Sequence, residues 1–124
     1  NFIKKINDPT IDGLIVTYKT NVKHNSYAKI KNNLVTEIRE KEVISEYSLN
    51  GVHYWKKASY FINSAKQMIT KNDRSINGEF YIGPTYNYLI KNNFKIGYYH
   101  LDENIHFSLG NVDDLNYFIK NVKI

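Results

Sequence analysis

The order of its apolar patterns constrains the fold of this chain more than any other feature. Residues 13–18 form a β-branched and aromatic run that is typical of a buried strand. Residues 27–31 and 34–38 alternate in polarity on either side of Asn32 and Asn33, which tolerate positive φ. Two alternating runs joined by such a pair predict a β-hairpin.

Helical periodicity follows these strands. Residues 49–55 form one more strand-like run, and the chain then changes period. Residues 57–71 carry apolar side chains at the i, i+3, i+4, i+7 spacing that places them on one helical face. The predicted stripe consists of Ala58, Phe61, Ile62, Ala65, Met68 and Ile69.

A second helix is predicted over residues 79–91, with Pro84 tolerated early in it. Its inward face would hold Tyr81, Tyr88 and Leu89. Residues 95–101 read as another strand, and residues 105–107 as a short one.

The last helix is expected to begin near Asn111, whose side chain can cap it. Asp113 and Asp114 favour the positive end of its dipole, which is the commoner reason for acidic residues at a helix start. Its buried face would consist of Leu115, Phe118 and Ile119. Helices that return onto strands, mixed with hairpins, predict a single α/β domain with a mixed β-sheet.

Composition narrows the functional classes. The 124 residues are 42% hydrophobic and contain no cysteine, so disulfides and thiolate sites are excluded. No apolar run reaches the length of about 20 residues that a membrane helix needs, and the first residues do not resemble a signal peptide. The net charge of +5 comes from lysines spread along the chain, with only two arginines, so we do not expect nucleic-acid binding.

Most patterns that would indicate chemistry are missing. The four histidines have no metal-ligand spacing, no serine lies in a G-x-S-x-G elbow, and the glycines never cluster into a phosphate-binding loop. Glu40-Lys41, directly after a predicted strand, is harder to interpret. A charged pair there is either a solvated turn or a carboxylate and an ammonium presented together to a ligand.

The order of the remaining motifs favours the second interpretation, because the chain resembles the C-terminal half of the bacterial sugar nucleotidyltransferases. Members of this family include glucose-1-phosphate thymidylyltransferase. Residues 35–41, VTEIREK, are similar to the family's V-x-x-I-x-E-K signature, and residues 49–55 to the N/T-G-hydrophobic-Y strand that follows it. The other matching segments are residues 12–16 (DGLIV), 77–81 (NGEFY) and 109–115 (LGNVDDL).

This resemblance implies a Rossmann-like fold and a transfer reaction, in which a small phosphorylated acceptor attacks a nucleoside triphosphate and releases pyrophosphate. Lys41 would neutralise the attacking phosphate, and Glu40 would accept hydrogen bonds from the acceptor. The acceptor pocket would be lined by Gly13, Asn50 and Gly51, with Glu79 as a further contact or a helix cap. We therefore expect a cytoplasmic enzyme that uses Mg²⁺ and takes part in surface-polysaccharide biosynthesis. Assembly into a homo-oligomer is compatible with this expectation.

The chain departs from the family pattern in two respects. The nucleotide-binding half, with its G-x-G-x-R loop, is absent from residues 1–124, so we expect a piece of a longer protein that is inactive alone. Ser108 stands where many relatives have a metal-binding aspartate, so no metal ligand is assigned here. The alternative is a non-catalytic module that binds its partner through a surface rich in tyrosine and lysine.

Overall fold

The computed structural model describes residues 2–102 and 112–122 and contains a five-stranded mixed sheet with helices packed on it. The strand order is β3-β2-β4-β1-β5, in which β1 and β5 are parallel and the other neighbours are antiparallel. The α/β mixed-sheet prediction is confirmed. The strands are β1 (Gly13–Lys19), β2 (Ser26–Lys31), β3 (Leu34–Glu40), β4 (Tyr47–Trp55) and β5 (Ile96–His100).

The predicted hairpin is β2-β3. Asn32 and Asn33 form its turn with φ of 52° and 62°, the left-handed conformation that asparagine tolerates better than most residues. Ser26 pairs with Glu40 at the open end of the hairpin. The register shifts by one residue between Lys29 and Ile30, so a bulge in β3 together with the turn determines which residue of β2 stands beside Glu40.

Four helices and one 3₁₀ turn complete the described chain. Tyr86 and Leu89 project from α3 into the sheet, where they join Ile15, Ile38 and Ile96 in the core. Each of these five residues is buried, and burial of such side chains contributes about 1.5–3 kcal/mol apiece. The helical elements are α1 (Phe2–Ile6), α2 (Ala58–Thr70), the 3₁₀ turn (Gly83–Thr85), α3 (Tyr86–Lys91) and α4 (Val112–Asn121).

The prediction of a helix over residues 79–91 was wrong in its first half. Gly78 has a φ of +83°, and the Asn77 side chain accepts a hydrogen bond from the Glu79 amide, which holds a turn there. Pro84 cannot donate a backbone hydrogen bond, so it lies in the 3₁₀ turn and α3 begins only at Tyr86. Residues 79–82 are left non-helical.

The outer faces of two helices also differ from expectation. On α2 the buried residues are Ser64 and Met68, while Ile62 and Ile69 are 47% and 61% exposed. The helix is turned so that one edge of its wide apolar stripe meets α3 and the 3₁₀ turn. Periodicity locates a stripe but does not determine which edge of it packs.

The predicted buried face of α4 is not buried within the described structure. Leu115 and Ile119 are 43% and 65% exposed, and Phe118 is half-buried. Asp113 and Asp114 do lie in the first turn, as the dipole argument requires. Asn111, the expected cap, and the strand expected at 105–107 lie outside the described residues. Across residues 2–102 and 112–122, every helix is too short or too polar to cross a bilayer.

Candidate active site

Glu40 and Lys41 lie where the hairpin ends. Glu40 is the last residue of β3, and the backbone amide of Lys41 continues the ladder by donating to the Asn25 carbonyl at 2.9 Å. Lys41 has a φ of 63°, a left-handed conformation that is uncommon for a residue with a side chain. This turn of the backbone directs the two neighbouring side chains to one place instead of to opposite faces of the sheet.

The Glu40 side chain is nearly enclosed, with 7% of its surface exposed. Burial raises the pKa of this carboxyl, and the hydrogen bond and charge of Lys41 act in the opposite direction. The distance from Lys41 Nζ to Glu40 Oε1 is 3.3 Å. Within the described part of the chain no hydrogen bond reaches Oε2, so that oxygen keeps its capacity to accept one.

The Lys41 ammonium is held at the rim of the site. It donates to the His24 carbonyl at 2.6 Å and lies 5.2 Å from the centre of the Tyr81 ring. The side chain is still 29% exposed, so an incoming anion can reach it. Carboxylate and ammonium are therefore presented side by side, one buried and the other accessible.

An open cavity of about 400 Å³ adjoins this pair. Glu40 forms one wall of it, β4 contributes another, and the segment before the 3₁₀ turn covers it. Its lining contains two aromatic rings, an imidazole and a carboxylate, a combination that suits a small polar organic molecule. The lining residues are Ser26, Glu40, Leu49, Gly51, His53, Phe80, Tyr81, Ile82 and Gly83.

A bulge in β4 gives the cavity its opening. Ile15 pairs with His53 and Thr17 with Leu49, so residues 50–52 stand opposite the single residue Val16. Gly51 has a φ of +97°, and a Cβ added there would meet nothing within 4 Å. The glycine therefore permits the bulge and leaves empty space in front of the strand. Asn50 supports it, because its side chain accepts a hydrogen bond from the Val52 amide at 3.1 Å.

Stacked rings support the far wall of the cavity. Trp55 lies nearly parallel to Tyr86, with centroids 4.8 Å apart, and His53 stacks on Trp55 at 5.8 Å. Tyr86 is fixed in turn by donating its hydroxyl hydrogen to the Tyr54 carbonyl at 3.0 Å. Burial is the main influence on both ionisable rings: it raises the pKa of Tyr86 and lowers the pKa of His53.

The predicted site residues divide into those that meet and those that do not. Glu40 and Gly51 line the cavity, and Lys41 stands at its rim. Asn50 was expected to line it and does not; its side chain supports the bulge instead. Gly13 does not line it: a Cβ there would approach Ile96, Tyr86 and the Tyr54 carbonyl to 3.0 Å, so close packing explains this glycine. Glu79 does not line it either, nor does it cap a helix, because it is exposed and accepts a hydrogen bond from the Tyr81 hydroxyl.

The sequence analysis missed several residues of the lining, chiefly Ser26, His53, Phe80 and Tyr81. Phe80 and Tyr81 lie within the NGEFY motif, of which only the glutamate was selected. Counting back across the hairpin from Glu40 would have given Asn25 instead of Ser26, because the register shifts by one residue between Lys29 and Ile30. Nothing in the local pattern around His53 marks it.

A second cavity, of about 590 Å³, lies on the other side of Glu40 along the outer edge of β3. Both arginines of the chain line it, but each is engaged within the protein. Arg39 donates to Glu37 at 2.7 Å and lies 3.5 Å from Glu42, and Arg74 donates to the Gly78 carbonyl at 3.0 Å. Glu40 lines both cavities. The smaller one is the better candidate, because Tyr81 in its lining lies 5.2 Å from the Lys41 ammonium, which an anion can reach.

The fold found here is that of the sugar nucleotidyltransferases. A nucleoside-diphosphate-sugar pyrophosphorylase from Vibrio cholerae superposes on 89% of this chain with a TM-score of 0.79 and 22% sequence identity. A protein from Bacillus anthracis assigned as a glucose-1-phosphate thymidylyltransferase, solved in complex with sucrose, superposes on 99% of the chain with a TM-score of 0.68 and 18% identity. The chain spans about half of each neighbour, 47% and 49% respectively. No protein-family model and no curated protein matches the sequence.

The described residues do not assemble a complete set of protein ligands for a metal ion. No three histidine, aspartate or glutamate side chains converge within residues 2–102 and 112–122. Ser108, at the position of the family's metal-binding aspartate, lies outside the described residues. A magnesium ion here would need further ligands, such as substrate phosphates and water.

Proposed function

We propose that this chain is the acceptor-binding part of a nucleotidyltransferase that acts on a small phosphorylated sugar or a similar compound. One observation supports this most directly: the buried Glu40 carboxylate and the accessible Lys41 ammonium meet at an open cavity, in a chain with the sugar-nucleotidyltransferase fold. A solvated turn would leave both side chains in water. Instead, Glu40 is enclosed and Lys41 has a left-handed backbone, which are features that accumulate at functional sites.

In the proposed reaction a phosphate oxygen of the acceptor forms a bond to the α-phosphorus of a nucleoside triphosphate. The bond from that phosphorus to the bridging oxygen breaks, and pyrophosphate leaves with the bonding electron pair. Transfers of this kind need little covalent help from the protein, and they depend mainly on positioning and on stabilisation of developing charge.

Lys41 would attract the acceptor phosphate and hold its attacking oxygen, since a lysine ammonium binds phosphate as a compact charge. Glu40 would accept a hydrogen bond from a hydroxyl or ammonium group at the other end of the acceptor, through Oε2, which accepts none from the described residues. The two neighbouring residues would thus grip both ends of one small molecule.

The nucleotide-binding loop is no part of these residues, so the proposal requires it from elsewhere in a longer protein or from another chain. Taken alone, residues 1–124 would bind an acceptor without turnover. The complete enzyme would act in the cytoplasm, where nucleoside triphosphates are abundant, and would supply an activated sugar for surface polysaccharide. Magnesium would be bound mostly by residues outside this chain, and assembly into a homo-oligomer is compatible with the proposal.

The first test is the reading frame that encodes this chain. The proposal expects a strand followed by a glycine-rich G-x-G-x-R loop upstream of Asn1. The full-length product is then assayed for pyrophosphate release with four nucleoside triphosphates against a panel of phosphorylated sugars and alcohols. An upstream sequence without the loop, together with no pyrophosphate release from any pair, would refute the proposal.

Lys41→Ala in the full-length protein tests the residue assignment. We expect turnover to fall by about 10²–10³-fold, the usual effect of removing one group that stabilises transition-state charge. Lys66→Ala is the matched control, because Lys66 is an exposed lysine on α2 outside both cavities. Equal activity of the two variants would show that Lys41 is surface charge only.

The same full-length protein can be used to test the alternative, a non-catalytic binding module. Retention on nucleic acid that falls steeply with salt, without any pyrophosphate release, would favour a binding surface made of lysine and tyrosine.

A further inference from the structure

We propose that His53 is a positioning residue for the acceptor, which holds the end that carries no phosphate against Glu40. This inference rests on the proposed function and assigns a role to a residue that the sequence motifs did not select. It is carried by the place of His53 in the cavity and by the way in which its ring is fixed.

His53 and Glu40 belong to different strands and line the same cavity. Between them, Gly51 contributes no side chain, and the space in front of its Cα is open. The bulge at residues 50–52 creates this gap, so a ligand can lie between the carboxylate and the imidazole. A side chain at position 51 would project into that space.

The imidazole ring is fixed before any ligand arrives. Its centroid lies 5.8 Å from Trp55 at an interplanar angle of 23°, and 6.0 Å from Tyr86 at 28°. Trp55 and Tyr86 are themselves stacked, and the Tyr86 hydroxyl is bonded to the backbone of β4. A ring packed in this way loses little conformational freedom on binding, which is what a positioning group requires.

The charge state of His53 suits a hydrogen-bonding role. Burial lowers the pKa of its imidazole, and a backbone hydrogen bond with Gly51 acts more weakly in the opposite direction. A neutral imidazole has one donor and one acceptor nitrogen, and because the donor is bonded to the Gly51 backbone, the acceptor nitrogen is the one left for a ligand. The ionisable groups around it are Glu40 on β3, Tyr81 on the covering segment and Tyr86 on α3, with the Lys41 ammonium at the rim.

Lys41, Glu40 and His53 would each recognise a different part of the same acceptor molecule. The phosphate would meet Lys41 at the rim, while the hydroxyl or amine end would lie between Glu40 and His53. Replacing His53 should therefore affect phosphate esters and leave inorganic phosphate unaffected. Protonation of His53 would add a positive charge facing Glu40, and that ion pair would compete with the ligand.

Dissociation constants of the ¹⁵N-labelled chain, taken from amide shift titrations, test this division. The probes are inorganic phosphate, glucose 1-phosphate and phosphoethanolamine. His53→Phe keeps an aromatic ring for the stack and removes both ring nitrogens. We expect it to weaken the tighter-binding ester by about 5- to 10-fold, the equivalent of one hydrogen bond, with phosphate binding unchanged. His53→Gln, which keeps a donor and an acceptor, should restore ester binding to within about threefold of the wild type.

A pH series adds a readout that a purely structural role would not change. The ratio of the wild-type constant to that of His53→Gln cancels the titration of the ligand itself. We expect this ratio to rise between pH 7.5 and pH 5.5, because only the wild type acquires the imidazolium charge.

Three outcomes would overturn the role of His53: esters that bind no more tightly than phosphate, equal weakening of esters and phosphate by His53→Phe, or no effect of that variant. Lys41→Ala in the same titrations keeps the two proposals separate. If Lys41→Ala leaves the binding of phosphate and esters unchanged, the proposed function fails. If it weakens them while His53→Phe does not, only the inference about His53 fails.

Discussion

Asn87 makes hydrogen bonds to the outer strand β3 that could not be predicted from the sequence pattern. Its side-chain oxygen accepts a hydrogen bond from the Ile38 amide at 2.8 Å, and its nitrogen donates to the Ile38 carbonyl at 2.7 Å. β3 is an outer strand, so no neighbouring strand bonds to these backbone groups on its open side. The side-chain amide of Asn87 takes the place of that missing strand. The same contact ties α3 to the strand that ends at Glu40.

We therefore expect Asn87→Ala to destabilise the protein by about 2 kcal/mol. Two lost hydrogen bonds to buried backbone groups are worth about 1–1.5 kcal/mol each, and the better helix propensity of alanine returns about 0.5 kcal/mol. In urea the unfolding midpoint should fall by about 1 M, with the slope unchanged. The Ile38 amide should also exchange with solvent much faster than in the wild type.

Asn63→Ala, on the exposed side of α2, is the control for the change of side chain alone and should alter stability by less than about 0.5 kcal/mol. Asn87→Asp should be at least as harmful as Asn87→Ala near pH 7, because a carboxylate oxygen would then face the Ile38 carbonyl. Asn87→Ala with the stability of the Asn63→Ala control would refute the reasoning about the outer strand.

The other predictions concern the bulge and the effect of pH. Gly51→Ala should cost about 1–2 kcal/mol through its positive φ and also weaken acceptor binding, whereas Gly78→Ala, strained in the same way away from the cavity, should cost only the stability. Urea unfolding and ligand titration of both variants check this, and normal binding by Gly51→Ala would argue against the bulge as part of the site. Because the folded-state pKa of His53 is lowered, the unfolded chain binds more protons below pH 6.5, and stability should fall there as the pH decreases. Unfolding free energies between pH 7.5 and 5.5 should therefore fall more steeply for the wild type than for His53→Gln, and parallel curves would contradict the assignment.

Short-range pattern was enough for much of the fold. The hairpin depends on the Asn32-Asn33 turn and on alternation within twelve residues, and both are local properties that tertiary packing did not override. The pair Glu40-Lys41 could be proposed from sequence for a similar reason: adjacent residues at a strand end are bound to be near each other. Gly51 was assigned to the pocket through the family resemblance, and the structure places it in the cavity lining.

The packing of segments that are distant in the sequence could not be predicted from local patterns. Gly13 and Gly51 were assigned to the pocket by the same family resemblance. Gly13 nevertheless packs against Ile96 and Tyr86, whereas nothing lies close to Gly51, so the neighbouring elements decide the role of each glycine. The α2 stripe was identified, but Ile62 and Ile69 lie on the edge that faces away from α3. Periodicity specifies a face, and only the neighbouring elements determine whether that face is covered.

The sequence by itself determined the types and order of the main strands and of α2, the turn between β2 and β3, and the two charged neighbours at the end of the hairpin. The tertiary structure alone decided that Ser26, His53 and Tyr81 share a cavity with Glu40. That decision depends on strand register, on a bulge with three residues opposite one, and on the stack of His53 with Tyr86. The bulge and the ring stack involve segments far apart in the chain, and their energy depends on the whole assembled core.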